Sequence, residues 1–168
     1  MKQGEVNPRL IALMAVMSAV IMALTLIRPI QTPLGGYVHL GDIAVNFAAL
    51  AFGPVVGAVA GGVGTGLADL VGFPIFAIPS LIVHGVQGYL VGRIGQGKTH
   101  WAPLAMAVFI GGVAVILGYF IAEVLLFGVG QALTEVVPNI FQELVGAVGI
   151  LVYLAVRRAY PPIVRYTK

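Results

Sequence analysis

Two runs of this chain, Leu10 to Ile27 and Pro103 to Phe127, hold between them a single charged side chain, Glu123. Each is long enough to cross the ~30 Å hydrocarbon layer of a bilayer, which takes about 20 apolar residues as a helix. Inside that layer only helices and closed barrels satisfy their own backbone polar groups. Strict apolar-polar alternation is missing, which excludes a transmembrane barrel. The chain therefore reads as an all-α membrane protein, a six-transmembrane-helix bundle forming one membrane domain over residues 1–168 in the lipid bilayer. Composition agrees: 60% of the 168 residues are hydrophobic and 9% charged, with a mean hydropathy of +1.04, where soluble domains carry about 25% charged residues. The run after Lys2 and Arg9 is longer than a signal-peptide core and reaches Arg28-Pro29 without a small-residue cleavage pattern, so it reads as a retained helix. Cysteine is absent, which excludes disulfides and thiolate ligands.

Breakers and charges divide the chain into spans of about 9–27, 42–52, 54–71, 78–94, 103–127 and 138–158. The second is short, and Gly53-Pro54 turns it tightly into the third. Pro54, Pro79, Pro103 and Pro138 each fall where a helix would begin, where a missing N–H costs nothing. Lys2, Arg9, Arg93, Lys98, Arg157, Arg158, Arg165 and Lys168 lie on one side of these spans and only Arg28 on the other. The excess of basic residues marks the cytoplasmic side, so both termini are expected there, and the stretches 35–42, 72–79 and 128–137 are expected outside. This asymmetry accounts for the net charge of +3 without a nucleic-acid partner. No internal repeat is visible.

Polar side chains within a membrane span are costly and face the bundle interior or a water-filled cavity. Here they recur at i,i+3 or i,i+4 spacing, which places each set on one face of its helix. The sets are Asp42 and Asn46; Thr65 and Asp69; Ser80, His84 and Gln87; Tyr119 and Glu123; Asn139, Gln142 and Glu143. At ~1.5 Å rise per residue, His84, Tyr119, Glu123, Asn139 and Glu143 fall within roughly 12 Å of the outer surface. Helices of opposite direction thus share one polar layer, which describes a cup open to the outside with GGYVHLGD, Gly35 to Asp42, as rim or lid. The alternative is that these groups only hydrogen-bond neighbouring helices. The acids Asp42, Asp69, Glu123, Glu135 and Glu143 face one base, Arg28, so a small neutral or cationic ring rich in N–H and O–H donors fits better than a carboxylate or phosphate. Tyr37, Phe73, Phe76, Tyr119 and Phe127 are available for stacking. Asp42 also reads as a helix cap and the phenylalanines as an interfacial belt. Ala15, Ala19 and Ala23 repeat every four residues on the first helix, and Gly57, Gly61, Gly62 and Gly66 line the third; small residues so spaced let helices approach closely.

Gly92 to Thr99 matches the phosphate-loop pattern G-x-x-x-x-G-K-[ST], but it bridges two membrane helices instead of following a strand, and reads as a basic cytoplasmic loop. No H-E-x-x-H or G-x-S-x-G pattern, metal-spaced cluster or cofactor motif appears. The enzyme alternative is a membrane-embedded catalyst using His84, Glu123 or Glu143 as acid-base groups on a small metabolite or lipid; a further one is a self-sufficient channel or carrier.

YVHLGDIAVNFAALAFGPVVGAVAGGVGTGLADL, then FPIFAIPSLIVHGVQGYLVG, LGYFIAEVLLFG and EVVPNIFQELVGAVG, in that order, resemble the substrate-binding S components of energy-coupling factor (ECF) vitamin transporters, closest to the hydroxymethylpyrimidine and pyridoxine branch. The resemblance implies a non-enzymatic six-helix subunit of a prokaryotic plasma membrane. It would capture a small-molecule vitamin or precursor from outside with high affinity. It also implies docking, through a face matched by Ala15, Ala19 and Ala23, on an ECF membrane coupling subunit that carries two ATPase subunits. By region and spacing, the ligand contacts it implies are Tyr37 and His39 in the first outer loop, His84, Gln87, Tyr119, Glu123, Asn139, Gln142 and Glu143. No cofactor or metal is implied.

Overall fold

The computed structural model describes residues 7–27 and 30–165. Its helices are α1 (Pro8–Thr25), α2 (Gly41–Phe52), α3 (Pro54–Gly72), α4 (Ala77–Gly95), α5 (Trp101–Phe127), α6 (Val129–Gly146) and α7 (Val148–Ala159). Between α1 and α2 lies a two-stranded antiparallel hairpin, β1 (Ile30–Gln31) and β2 (Tyr37–Val38). Single 3-10 turns at Pro74–Phe76 and Pro161–Arg165 complete the described residues. Among the described residues, five helical segments are long and apolar enough to cross a membrane, with α6 and α7 counted as one, and α2 is a shorter apolar helix. Arg28, the lone base expected on the outer side, lies outside the described residues, as do Lys2 and Lys168.

Exposure is reversed relative to a soluble bundle. On α6, Leu133, Val137, Ile140, Phe141 and Leu144 are exposed while Glu135, Gln142 and Glu143 are buried. On α5, Phe109, Leu117, Ile121 and Leu125 point out while Tyr119 and Glu123 point in. A helix that spends its apolar side chains on the outside is stable only where the outside is itself apolar.

One correction concerns the sixth span. Pro138 sits inside α6, not at the start of a helix, and the stretch 128–137 expected as an outer loop is helical from Val129 onward. Pro138 removes one backbone donor from the helix, yet the chain before it stays helical because Ala132 and Glu135 are buried against the bundle. The break comes instead at Ala147, between α6 and α7. There the Asn46 side-chain amide donates to the Gly146 carbonyl over 3.0 Å, supplying a partner that the ending helix lacks.

The core forms at the junction of α2 with α1, α3, α4 and α7, where Val45, Ala48, Ala49, Leu50, Val56, Val91 and Ile150 are sealed from solvent. Gly53, at φ +92°, makes the α2–α3 turn in a conformation that favours glycine. The most extensive helix pair is α3 with α4, and its seam is glycine on glycine. A Cβ at Gly88 would lie 2.1 Å from the Gly57 carbonyl oxygen, and one at Gly62 2.5 Å from the Leu81 carbonyl oxygen. The glycine strip read from the sequence is therefore where α3 lies directly on the α4 backbone. At the opposite end of the chain, α7 ties down the α4–α5 turn: Tyr153 donates to the Lys98 carbonyl (3.0 Å), and Arg157 donates to those of Gly97 and Lys98 (3.1 and 3.0 Å). The phosphate-loop-like residues thus form the last turn of α4 and a turn that offers carbonyls to a cation.

Gly88→Ala should open this seam and cost about 1–3 kcal/mol, read as a lowered thermal midpoint in detergent. Gly130→Ala, whose added Cβ would meet nothing within 4 Å, should leave the midpoint unchanged or slightly raised.

Candidate functional site

The polar faces of α2, α3, α4, α5 and α6 meet at the end of the bundle remote from the Lys98–Arg157 turn. At the floor, His84 and Asp42 are fully buried side by side, with His84 Nδ1 3.0 Å from Asp42 Oδ1. Gln142 from α6 donates its amide to Asp42 Oδ2 (2.7 Å), and its own carbonyl accepts the His39 backbone N–H (3.3 Å). His84 Nδ1 also lies 2.8 Å from Gln87 Oε1, and Gln87 donates to Glu143 Oε2 (3.0 Å). One network therefore joins α2, α4, α6 and the loop before α2.

A second chain climbs from the floor towards the mouth. His84 Nε2 lies 3.0 Å from the Tyr119 hydroxyl, which lies 2.5 Å from Ser80 Oγ. Ser80 donates to one carboxylate oxygen of Asp69, and Tyr37 donates to the other. Tyr37 belongs to the β1–β2 hairpin, so this contact draws the hairpin over the cup. A second latch runs from the Leu34 N–H to Glu135 Oε1 of α6 (2.6 Å).

The cavity beneath this lid is about 50 Å³ and is lined by Tyr37, His39, Asp69, Phe73, Phe76, Tyr119, Glu123, Glu135, Asn139 and Gln142, with Thr32, Leu34 and Gly36 from the hairpin. A cavity needs ~10–15 Å³ by this measure to hold a water, so the cup as it stands has room for a few solvent molecules and is partly open. Phe73 and Phe76 stack with centroids 5.2 Å apart, and Phe76 leans on Tyr119 at 5.9 Å, giving one wall aromatic faces. Asn139 is within hydrogen-bonding reach of Glu123, while Glu123 Oε2 is buried with no hydrogen-bond partner among the described residues.

Of the residues singled out from the sequence, Tyr37, His39, Tyr119, Glu123, Asn139 and Gln142 line the cavity. His84 and Gln87 lie beneath it and shape it through Tyr119, Asp42 and Glu143. Glu143 does not reach the cavity: it faces Gly112 of α5 and lines a separate apolar groove between α5 and the α6–α7 segment. Phe73 and Phe76, available for stacking by sequence, also line the cavity, and Asp69 and Glu135, visible there only as outer acids, join them; Gly36 belongs to the stretch read as rim or lid, while Thr32 and Leu34 carry no sequence signal of their own. Ser80 was legible only through its i,i+4 spacing to His84. His39, Asp42 and His84 also bring potential metal-ligand atoms within 4.8 Å of one another. Ala15, Ala19 and Ala23 are all exposed on α1, clear of the cup.

Residues 5–158 match the family described as ECF-type riboflavin transporter, S component. The chain is also 37% identical over 128 residues to an uncharacterized protein in the gap 3′ region of Pyrococcus woesei, covering 75% of this chain and 86% of that one. It is 34% identical over 121 residues to the thiamine precursor transporter HmpT of Lactococcus lactis subsp. cremoris, covering 71% of this chain and 69% of that one.

The burial of His84 separates two substitutions. His84→Ala takes the imidazole from beside the buried Asp42 carboxyl, a loss on the order of 3–5 kcal/mol when a buried pair is broken, and should lower the thermal midpoint sharply. Glu123→Gln keeps the side chain's size at the cavity wall and should leave that midpoint within a few degrees of the parent.

Proposed function

The chain belongs to the ECF-type riboflavin transporter S component family, and from that premise we propose that its cup captures hydroxymethylpyrimidine, pyridoxine or a similar small ring from outside the cell for ATP-driven uptake. As a member of that family it is a vitamin- or precursor-binding transporter subunit and a multi-pass membrane protein, not an enzyme. The observation that carries the choice of ligand is the pairing of an aromatic wall, Phe73, Phe76 and Tyr119, with the carboxyls of Asp69, Glu123 and Glu135 in one small cavity. Such a lining suits a stacked ring bearing N–H and O–H donors and repels the carboxylates of biotin, folate or pantothenate. The similarity to a thiamine precursor transporter supports the same class.

The cup opens outward and both termini are cytoplasmic, because Arg93, Lys98, Arg157 and Arg158 gather at the other end of the bundle. Capture parts the Tyr37–Asp69 and Leu34–Glu135 latches, which re-form around the ligand. Energy comes from outside the chain: Ala15, Ala19 and Ala23 form a small-residue face that docks on a membrane coupling subunit carrying two ATPases.

Equilibrium titration of the purified protein with hydroxymethylpyrimidine, pyridoxine, thiamine and riboflavin should give sub-micromolar affinity for at least one of the first two; binding of none removes the ligand class. Ala19→Trp should abolish copurification with the coupling subunit while ligand affinity stays within twofold of the parent, and retained assembly would assign those alanines another role.

A further inference from the structure

Counting protons along the cup's hydrogen-bond chain specifies more than its lining. Ser80 has one hydroxyl proton and gives it to Asp69, so its oxygen accepts from Tyr119. Tyr119 has one proton and spends it on Ser80, so towards His84 Nε2 it can only accept. The other ring nitrogen, Nδ1, faces two acceptors, Asp42 Oδ1 at 3.0 Å and Gln87 Oε1 at 2.8 Å. Both nitrogens are therefore donors, and a histidine that donates twice is the cation. The reverse polarity would put a proton on Asp69 and a neutral ring beside Asp42. The floor opposes it: Asp42, which also accepts from Gln142, favours a cation next to it.

The groups facing His84 are Asp42 from α2, His39 from the loop before α2, Tyr119 from α5, and Ser80 and Gln87 from its own helix; Glu143 of α6 stands behind Gln87. A metal ion at His39, Asp42 and His84 would have to displace the His84 Nδ1 proton.

We infer that His84 is an imidazolium whose two N–H bonds set the direction of the chain His84→Tyr119→Ser80→Asp69, so that Tyr119 and Asp69 meet a ligand only as acceptors, and that the ligand is a heteroaromatic ring donating through an exocyclic amine. This rests on the cup being the vitamin site. Glu123 adds a third acceptor, its unpartnered Oε2. An oxo group in the amine's place would set oxygen against oxygen, leaving buried acceptors unpaired on both sides.

The test has two arms. With 15N-labelled histidine, and His39→Asn and His100→Gln to assign the signals, His84 should show two proton-bearing nitrogens at neutral pH; one unprotonated nitrogen overturns the inference. Ser80→Ala deletes the acceptor of the Tyr119 proton, frees Tyr119 to donate to Nε2 and should turn that nitrogen into the unprotonated type, a change that a purely structural role for Ser80 would not produce. In the second arm, 4-amino-5-hydroxymethyl-2-methylpyrimidine should bind on the order of ten- to a hundredfold more tightly than its 4-oxo counterpart. Equal affinities overturn the ligand assignment while leaving the vitamin site standing. Failure of both rings to bind, with two protonated nitrogens on His84, instead overturns the reading of the cup and the ligand class with it.

Discussion

The contact on which the rest of the cup depends is the buried ion pair of Asp42 and His84. An isolated charge in the apolar interior costs several kcal/mol even after relaxation, so neither residue is tolerable alone. Each is held by further donors and acceptors: Gln142 on Asp42, Tyr119 and Gln87 on His84. Those partners come from three other points of the chain, and Gln142 also anchors the backbone of His39. Thus the pair orients α6, fixes the loop before α2, and starts the chain of hydroxyls that reaches Asp69 and the hairpin. The cup is shaped from its floor upward.

The membrane explains why so compact a polar network can hold a bundle together. Between helices immersed in lipid, apolar contact is no more favourable than contact with the lipid, and packing and hydrogen bonds do the associating. Side chains such as Leu133 and Leu125 are accordingly turned outward, while polar groups and glycine hold the helices together around the apolar core at α2.

That division made much of the fold legible in the sequence. Polar residues inside apolar runs can only be paid for at an interior, so their helical spacing located the faces carrying His84, Tyr119, Glu123 and Gln142. The glycines at four-residue intervals located the close α3–α4 contact for the same reason. What stayed hidden depends on tertiary partners. Pro138 looked like a helix start, because nothing local reveals that Ala132 and Glu135 are buried and keep the preceding turns helical. Glu143 shares a face with Gln142, yet one residue of rotation sends it to Gln87 and Gly112 instead of the cavity. The lid stretch from Gly35 was legible, but the hairpin also contributes Thr32 and Leu34 through its position over the mouth, which no pattern in those residues announces.

The α3–α4 seam leaves the molecule mechanically lopsided. Where main chain presses on main chain, as at Gly57 and Gly88, there is no side chain to change rotamer and absorb a displacement, so these two rods can only travel together. The facing flank, α5 and α6, meets its neighbours through side chains that can swing. Any breathing of the chamber is therefore confined to that flank and to the flap above it, with the glycine-bonded pair as the fixed jaw.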